Sequence, residues 1–362
     1  MRPALLVFAY ALAVAWFVPP LLRLTARGIS ARLGLTAWLT AMASVLACAT
    51  VALEFLVRAA VSGWPGLAEA VCRSVAGQAC TPTFYRSALF EAGLGAAAIV
   101  AALAAAVLAW HYGRSVQQAR RRTRAHAEAA RMTGRRLPDA GAPALGAAVL
   151  DAAALDAAAL DAVVLDAVVL DAPQAVAYCV GGRPATIVLT TGTLAVLDPA
   201  QLSAVLAHER AHLAGRHHLL IALTRALAVS FPAVPLFTRG PDEVARLAEM
   251  RADDAAVRRS DRRTLIAALL AMSTGTSLPA AALRTAALTG TALTSTALTG
   301  TALGATACAV TDRVQRLLEP PSRGRRARYG AALVTVTLLL ALLSGLAAAF
   351  AGPLAAHGLH AG

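Results

Sequence analysis

Four apolar runs constrain what this chain can fold into more than any other feature. They cover residues 3–22, 33–57, 87–112 and 330–352. A hydrocarbon core of about 30 Å is crossed by roughly 20 residues of helix, so each run is long enough to span a membrane. The first run ends in Pro19-Pro20 and an arginine-containing stretch without a small-residue cleavage site, which indicates an uncleaved helix and not a signal peptide. The sequence therefore predicts an α-helical multi-span membrane protein.

The positions of the basic residues predict how these spans are oriented. All 33 of them are arginine, and they cluster after the first run, after the third run and before the fourth. Because cytoplasmic loops carry an excess of basic residues, residues 23–32 and 113–329 are predicted to lie inside. Both termini and residues 58–86 are then outside. The arginines adjoin spans and accompany no nucleic-acid-binding motif, so the expected partners are anionic membrane lipids and not nucleic acid.

Two of the five cysteines, Cys72 and Cys80, fall in the loop that is predicted to face outside. Disulfides persist in oxidising compartments outside the cytoplasm, so we predict a bridge between these two residues. Cys48, Cys179 and Cys308 match no metal-ligand spacing. We interpret them as small packing residues.

Two low-complexity runs with a period of five residues lie in the inside segment. Leu-Asp pairs recur from Leu150 to Asp171, and leucine recurs from Leu283 to Leu303. A period of five fits neither a helix nor a strand. Five copies are also too few for a stacked repeat fold such as the pentapeptide-repeat β-helix. We interpret both runs as poorly ordered insertions.

The segment between the two runs carries the densest structural signal. Residues 175–180 and 186–190 are strand-like and predict a hairpin across Gly181 to Pro184. Asp198 followed by Pro199 predicts the start of a helix, since aspartate is a good N-cap and proline fits the first turn. A second helix is predicted over residues 241–258.

The first of these helices carries the sequence His208-Glu209-Arg210-Ala211-His212. Two neutral imidazoles four residues apart share a helix face and can bind one Zn²⁺. Zinc lowers the pKa of a bound water to about 7, and Glu209 can accept the proton as the water attacks a peptide carbonyl. The alternative is two surface histidines beside a solvated glutamate. Arg216, His217 and His218 are interpreted as polar groups at the helix end near the membrane surface, and the alternative is that they belong to the site.

A third zinc ligand is expected from the second helix, where Glu249 and Asp253 are four residues apart and share a face. Glu249 can complete the zinc site, and Asp253 can orient a ligating histidine from behind. The alternative is an ordinary charged surface of a helix.

The His-Glu-x-x-His motif followed by Glu-x-x-x-Asp, with a strand hairpin ahead of it, resembles the gluzincin membrane peptidases. Three spans before this region and one after are most similar to the BlaR/MecR-type antibiotic-sensing metallopeptidases. HtpX-type and prenyl-protein membrane proteases are similar more distantly. The resemblance is loose over residues 1–112, close over residues 173–275, and one of span layout over residues 309–352. It implies Zn²⁺ bound by His208, His212 and Glu249, with Glu209 as the base and Asp253 supporting the site.

The resemblance also implies an α+β zincin-like catalytic domain inserted between the third and fourth spans. We therefore divide the chain into three spans (1–112), an Arg-rich and repeat linker (113–172), a zinc peptidase domain (173–275), a second repeat (276–308), a juxtamembrane segment (309–329) and a fourth span with its tail (330–362).

The expected function is zinc-dependent hydrolysis of peptide bonds in cytoplasmic or membrane-proximal proteins, in signalling or protein quality control, without a covalent cofactor. One alternative is a zinc-binding scaffold that signals by conformation without cleaving, although metal binding alone would not need Glu209. Another is a transporter, but the acids within the apolar runs are only Glu54 and Glu91.

Overall fold

A computed structural model of the chain describes residues 2–26, 30–62, 106–118, 135–136, 166–180, 185–278 and 305–351, with a few further residues between 96 and 121. The chain divides into two compact units. The first comprises Met1–Gly113, Thr224–Pro241 and Gly324–Gly362, and the second comprises Arg114–Leu223 and Asp242–Arg323.

The described residues are mostly helical, with one sheet. The helices are α1 (Arg2–Ala26), α2 (Ala31–Ser62), α3 (Thr191–Val196), α4 (Pro199–Ala214), α5 (His217–Ser230), α6 (Pro235–Val257), α7 (Arg262–Thr274), α8 (Ala305–Leu318) and α9 (Arg323–Ala351). The strands are β1 (Arg135–Arg136), β2 (Asp166–Leu170), β3 (Ala177–Val180) and β4 (Thr186–Thr190).

The first unit is built on packing between α1 and α2, with Trp38 and Met42 fully buried. Polar contacts add α9 to this pair. The Tyr10 hydroxyl donates to the Leu340 carbonyl at 3.5 Å, and Ser44 is hydrogen-bonded to Ser344. Hydrogen bonds of this kind join helices in surroundings that offer no water.

Two of the described helices contain a stretch that is long and apolar enough to cross a membrane, judged by length and composition. These stretches are Ala31–Leu53 and Arg323–Ala347, and they match the second and fourth predicted spans. The first predicted span is a shorter apolar stretch, Leu6–Leu22. The third predicted span lies partly outside the described residues, and the predicted Cys72–Cys80 bridge lies wholly outside them.

In the second unit, the sheet has the strand order β1-β2-β4-β3. The predicted hairpin is confirmed, because β3 and β4 pair antiparallel with Tyr178 opposite Val188. β2 pairs parallel to β4, with Val168 opposite Val188. All five residues of β4 are buried, as expected for a strand with neighbours on both sides and packing on both faces.

Helices α4 and α7 pack on this sheet and form the core of the second unit. Ile187 and Leu189 of β4 join Leu202 and Leu206 of α4 in one buried apolar cluster. A second cluster links α4, α6, α7 and α8 through side chains that include Leu265 and Val314. Burial of these side chains fixes α4, which carries the histidine motif, between the sheet and the other helices.

Two segments that were interpreted as linkers belong to the fold of the second unit. The last copy of the first period-five run forms β2, because its Val168 and Val169 are buried when paired with β4. The other copies lie outside the described residues. Helix α8 covers the end of the second predicted repeat and part of the predicted juxtamembrane segment. The boundaries predicted at 173 and 275 therefore leave out two strands, β1 and β2, and one helix, α8.

The second predicted helix begins earlier than expected. α6 starts at Pro235, six residues before the predicted start at Pro241, and includes Pro241 within it. Before it, α5 spans 14 residues, or about 21 Å at 1.5 Å per residue. That length is below the roughly 30 Å of a hydrocarbon core.

Candidate metal centre

The helix that carries the histidine motif begins as predicted. The Asp198 carboxylate accepts from the backbone N–H of Gln201, the Gln201 side chain accepts from the N–H of Asp198, and Pro199 opens the helix. This capping box fixes where α4 starts. His208 and His212, four residues apart, consequently project from one face of the helix.

The structure brings Glu249 of α6 against both histidines. Its Oε2 is 3.3 Å from Nε2 of His208, and its Oε1 is 3.4 Å from Nε2 of His212. The two imidazole Nε2 atoms are 3.1 Å apart. Ligand atoms of all three residues lie within 4.8 Å of one another, so that, among the described residues, these three side chains form a group that could hold a metal ion.

Asp253 supports His208 from behind. Its Oδ1 is 3.0 Å from Nδ1 of His208, and its side chain has no exposed surface. When Nδ1–H of His208 donates to this carboxylate, the lone pair of Nε2 faces Glu249. Burial alone would raise the pKa of Asp253, but hydrogen bonds from His208 and Arg313 lower it, so the carboxylate is ionised.

Arg313 of α8 is a site residue that the sequence interpretation missed. Its Nε and Nη2 bind the two oxygens of Asp253 at 2.9 and 2.6 Å, and its Nη1 lies 3.1 Å from Oε2 of Glu249. A bidentate guanidinium–carboxylate pair is among the strongest side-chain contacts. One signal was present in the sequence, since Val310, Val314 and Leu317 give α8 an apolar face next to its arginines.

His217 contacts His212, which favours the alternative, a residue of the site, over a group at the helix end. Nδ1 of His217 lies 2.9 Å from Nδ1 of His212, with the two rings edge to face. His217 is 1% exposed. Burial and the nearby charge of His212 lower the pKa of His217 to about 4. Its neighbour His218 is exposed.

Glu209 lines the same cavity as the three ligand candidates, a space of about 360 Å³. Burial raises the pKa of its carboxyl, and positive charge on His208 and His212 opposes that rise. The thiol of Cys179, on strand β3, is hydrogen-bonded to Glu209, and burial raises the pKa of this thiol. Cys179 was interpreted as a packing residue, but it lines the cavity beside the predicted base.

The donor set fits a divalent cation such as Zn²⁺. Two imidazole nitrogens and one carboxylate are typical of a catalytic zinc site with an open position. Three carboxylates (Glu209, Glu249 and Asp253) line the cavity or contact its ligands, against the guanidinium of Arg313. With neutral imidazoles this excess of negative charge favours a cation at the ligand atoms. Apolar side chains, among them Leu265, Leu269 and Met272, form another wall of the cavity.

A family model, Peptidase family M48, matches residues 142–240. No curated protein and no solved structure matches the chain. The matched segment contains His208, Glu209 and His212, together with strands β2 to β4, whereas Glu249 lies beyond it. Over these residues the chain is similar to that peptidase family, and this similarity supports a metallopeptidase activity.

Proposed function

We propose that this chain is a membrane-embedded zinc-dependent endopeptidase that hydrolyses peptide bonds of cytoplasmic or membrane-proximal proteins. One observation carries the proposal. His208, His212 and Glu249 come from two helices, and their ligand atoms lie within 4.8 Å of one another in a cavity that Glu209 also lines. A charged surface of a helix, the alternative from the sequence, would not bring these groups together.

In this proposal His208, His212 and Glu249 hold the zinc ion. Zinc, when bound, supplies a Lewis acid that acidifies water and polarises the scissile carbonyl. Asp253 keeps the proton of His208 on Nδ1, so that Nε2 is free to bind. Glu209 takes a proton from the attacking water and delivers it to the amine of the departing product.

Substitution of Glu209 and of the histidines tests the proposal. Glu209→Ala should keep zinc and lose at least about 100-fold in peptidase rate, because a general base contributes that much or more. His208→Ala and His212→Ala should lose both zinc and activity. Zinc content and cleavage of a casein-type protein substrate are measured on the purified full chain in detergent. A Glu209→Ala protein that cleaves like the wild type would refute the mechanism. A protein that holds zinc but cleaves no substrate would instead favour the non-proteolytic scaffold.

The substrates are proposed to be proteins at the cytoplasmic membrane surface, in regulatory signalling or quality control. Comparison of protein termini in membranes from cells with wild-type and Glu209→Ala protein identifies them. A substrate should accumulate in its intact form in the variant cells. Identical sets of termini would argue against a proteolytic role in the cells tested.

We also propose the multi-pass topology, with residues 113–329 in the cytoplasm and both termini outside, in a layout like that of the BlaR/MecR-type peptidases. The arginine distribution supports this orientation. In this topology α5 does not cross the membrane, since about 21 Å of helix is too short for a straight passage.

Single cysteines at the exposed positions 214 and 239, in a background without other cysteines, test this topology. A membrane-impermeant thiol reagent should label both only when the cytoplasmic face is accessible, as in inverted vesicles. Labelling of the two positions from opposite sides would contradict the topology, because the histidines precede α5 and Glu249 follows it.

A further inference from the structure

The two histidines of the metal centre differ in what holds them. His208 has a carboxylate behind it, since Asp253 lies 3.0 Å from its Nδ1. Behind His212 lies another imidazole, with Nδ1 of His217 at 2.9 Å from Nδ1 of His212. An imidazole that binds a metal through one nitrogen needs an acceptor for the proton on the other nitrogen. His217 occupies the position of that acceptor.

Only one arrangement of protons across this contact leaves His212 able to bind a metal through Nε2. In that arrangement Nδ1–H of His212 donates to Nδ1 of His217, and the proton of His217 is on Nε2. In the reverse arrangement His217 donates, and His212 carries its proton on Nε2, the atom that faces Glu249 at 3.4 Å. The geometry of the ligand set therefore requires His217 to be the acceptor.

The placement of the His217 ring is not explained by stability. The ring is 1% exposed, and its Nε2 has no hydrogen-bond partner within the part of the chain that the structure describes. A buried polar atom without a partner is unfavourable. The ring therefore keeps its Nδ1 contact with His212 at the cost of an unpaired Nε2.

The backbone between α4 and α5 makes room for this ring. Gly215 has φ −76° and ψ −6°, a conformation open to any residue, so the glycine is not needed for backbone freedom. A Cβ at this position would lie 2.3 Å from Nε2 of His217. The next residue, Arg216, has φ +47° in the left-handed region that non-glycine residues rarely adopt. Arg216 turns the chain, and the missing side chain of Gly215 leaves the space in which the ring of His217 lies against His212.

We propose that His217 is a positioning residue for His212: its Nδ1 accepts the Nδ1–H of His212 and holds the Nε2 lone pair of His212 toward Glu249. The inference rests on the proposed function, in which His212 binds Zn²⁺. It gives the centre one charged support, Asp253, and one neutral support, His217. A neutral acceptor orients the ligand without adding negative charge to the cavity.

The test measures affinity for Zn²⁺ itself, by competition with a chelator, on the purified full chain. His217→Phe fills the space of the ring without an acceptor and should weaken zinc binding about 10–100-fold, as for other residues behind metal ligands. His217→Asn keeps an acceptor oxygen near the position of Nδ1 and should bind zinc more tightly than the Phe variant. The matched control is His218→Phe, at the exposed neighbouring position, which should bind zinc like the wild type.

A folded His217→Phe protein with wild-type zinc affinity would overturn the inference, as would equal losses in the Phe and Asn variants. If the wild type binds no zinc, the proposed function itself fails, so the two failures are distinguishable. Gly215→Ala provides a second route, since its methyl group would displace the ring and should also weaken zinc binding.

One measurement needs no variant. In the zinc-loaded wild type with ¹⁵N-labelled histidine, a scalar coupling between the two Nδ1 nuclei should appear across the hydrogen bond, with the proton on His212. A proton on Nδ1 of His217 would refute the inference even if every variant failed to fold.

Discussion

The supports behind His208 and His212 are built in different ways. The support of His208 is charged and comes from distant parts of the chain, since Asp253 lies on α6 and Arg313 lies 105 residues away on α8. The support of His212 is neutral and local, since His217 is five residues away. Both ligands meet the same carboxylate, since His208 lies near Oε2 of Glu249 and His212 lies near Oε1.

This difference implies that the two supports fail in different ways. A buried ion pair costs a great deal to break, because the partner that is left behind is an uncompensated charge. A neutral contact leaves only an unpaired hydrogen-bonding group when it is removed. Changes on the His208 side should therefore affect both folding and metal binding, whereas changes on the His212 side should affect mainly metal binding.

The largest effect is expected from Glu249→Ala, because this residue is shared by the two sides. Zinc affinity should fall by more than the roughly 10–100-fold that is typical of residues behind the ligands. Glu243→Ala is the matched control on the same helix, since Glu243 is paired with Arg246 at 2.8 Å and lies outside the ligand group. Chelator competition measures both affinities. Equal values for the two variants would refute the assignment of Glu249 as a ligand.

The second largest effect is expected from Asp253→Ala. This variant also tests whether the contacts behind His208 stabilise the folded protein. Its loss leaves the guanidinium of Arg313 buried without its main partner, which should lower the free energy of unfolding by about 3–5 kcal/mol. Zinc affinity should also fall by about 10–100-fold. Urea unfolding in detergent and chelator competition measure the two quantities.

The control for Asp253→Ala is Asp254→Ala. Asp254 is paired with Arg316 at 2.6 Å, and its side chain is 37% exposed, so its loss should cost about 0–1 kcal/mol. A smaller loss of stability for Asp253→Ala than for His217→Phe would contradict the division into a charged and a neutral support.

Arg313→Leu should have a smaller effect than Asp253→Ala. Asp253 keeps its hydrogen bond with His208, so the loss in unfolding free energy should be about 1.5–3 kcal/mol, the contribution of a hydrogen bond between charged groups. In the double variant with Asp253→Ala the two losses should not add, because both substitutions remove the same contact. Arg316→Leu is the control. Additive losses of unfolding free energy would show that Arg313 stabilises the protein through contacts other than the one with Asp253.

Deletions in the two period-five runs should have the smallest effect on zinc binding. Removal of residues 150–165 stops before β2, and removal of residues 285–300 stops before α8. Zinc content of the purified deletion variants measures the outcome. We expect it to be unchanged, because both deletions leave the described strand β2 and helix α8 intact. Loss of zinc in either deletion would mean that the centre depends on the repeats.

Several parts of the molecule could be predicted from the sequence because their signals are local. The capping box at Asp198 and the strand hairpin depend on residues close together in the chain. The four-residue spacing puts the two histidines on one face by helix geometry alone. The four-residue spacing of Glu249 and Asp253 likewise predicted that they share a helix face, although only the tertiary fold shows that they meet the histidines.

Other parts could not be predicted in this way. The strand β2 comes from a repeat in which residues 162–166 and 167–171 share the sequence Ala-Val-Val-Leu-Asp, so composition alone did not single out Val168 and Val169, which are buried where β2 pairs with β4. Arg313 carries no motif of its own, and its role exists only because α8 packs against α6 and α7. Cys179 was interpreted as a packing residue because its contact with Glu209 joins a strand to a helix, and such a contact leaves no signal in the local sequence.

The sequence by itself thus determined the apolar runs, the strand hairpin, the helix that carries His208 and His212, and the type of ligand available, since each follows from periodicity, capping or residue chemistry over short distances. Only the tertiary structure decided what stands behind each ligand. A side chain becomes a support when a partner comes within about 3 Å of it, and long-range packing sets that distance. His217 shows the difference. The sequence places it five residues after His212, but its contact with His212 depends on the local fold at Gly215 and Arg216.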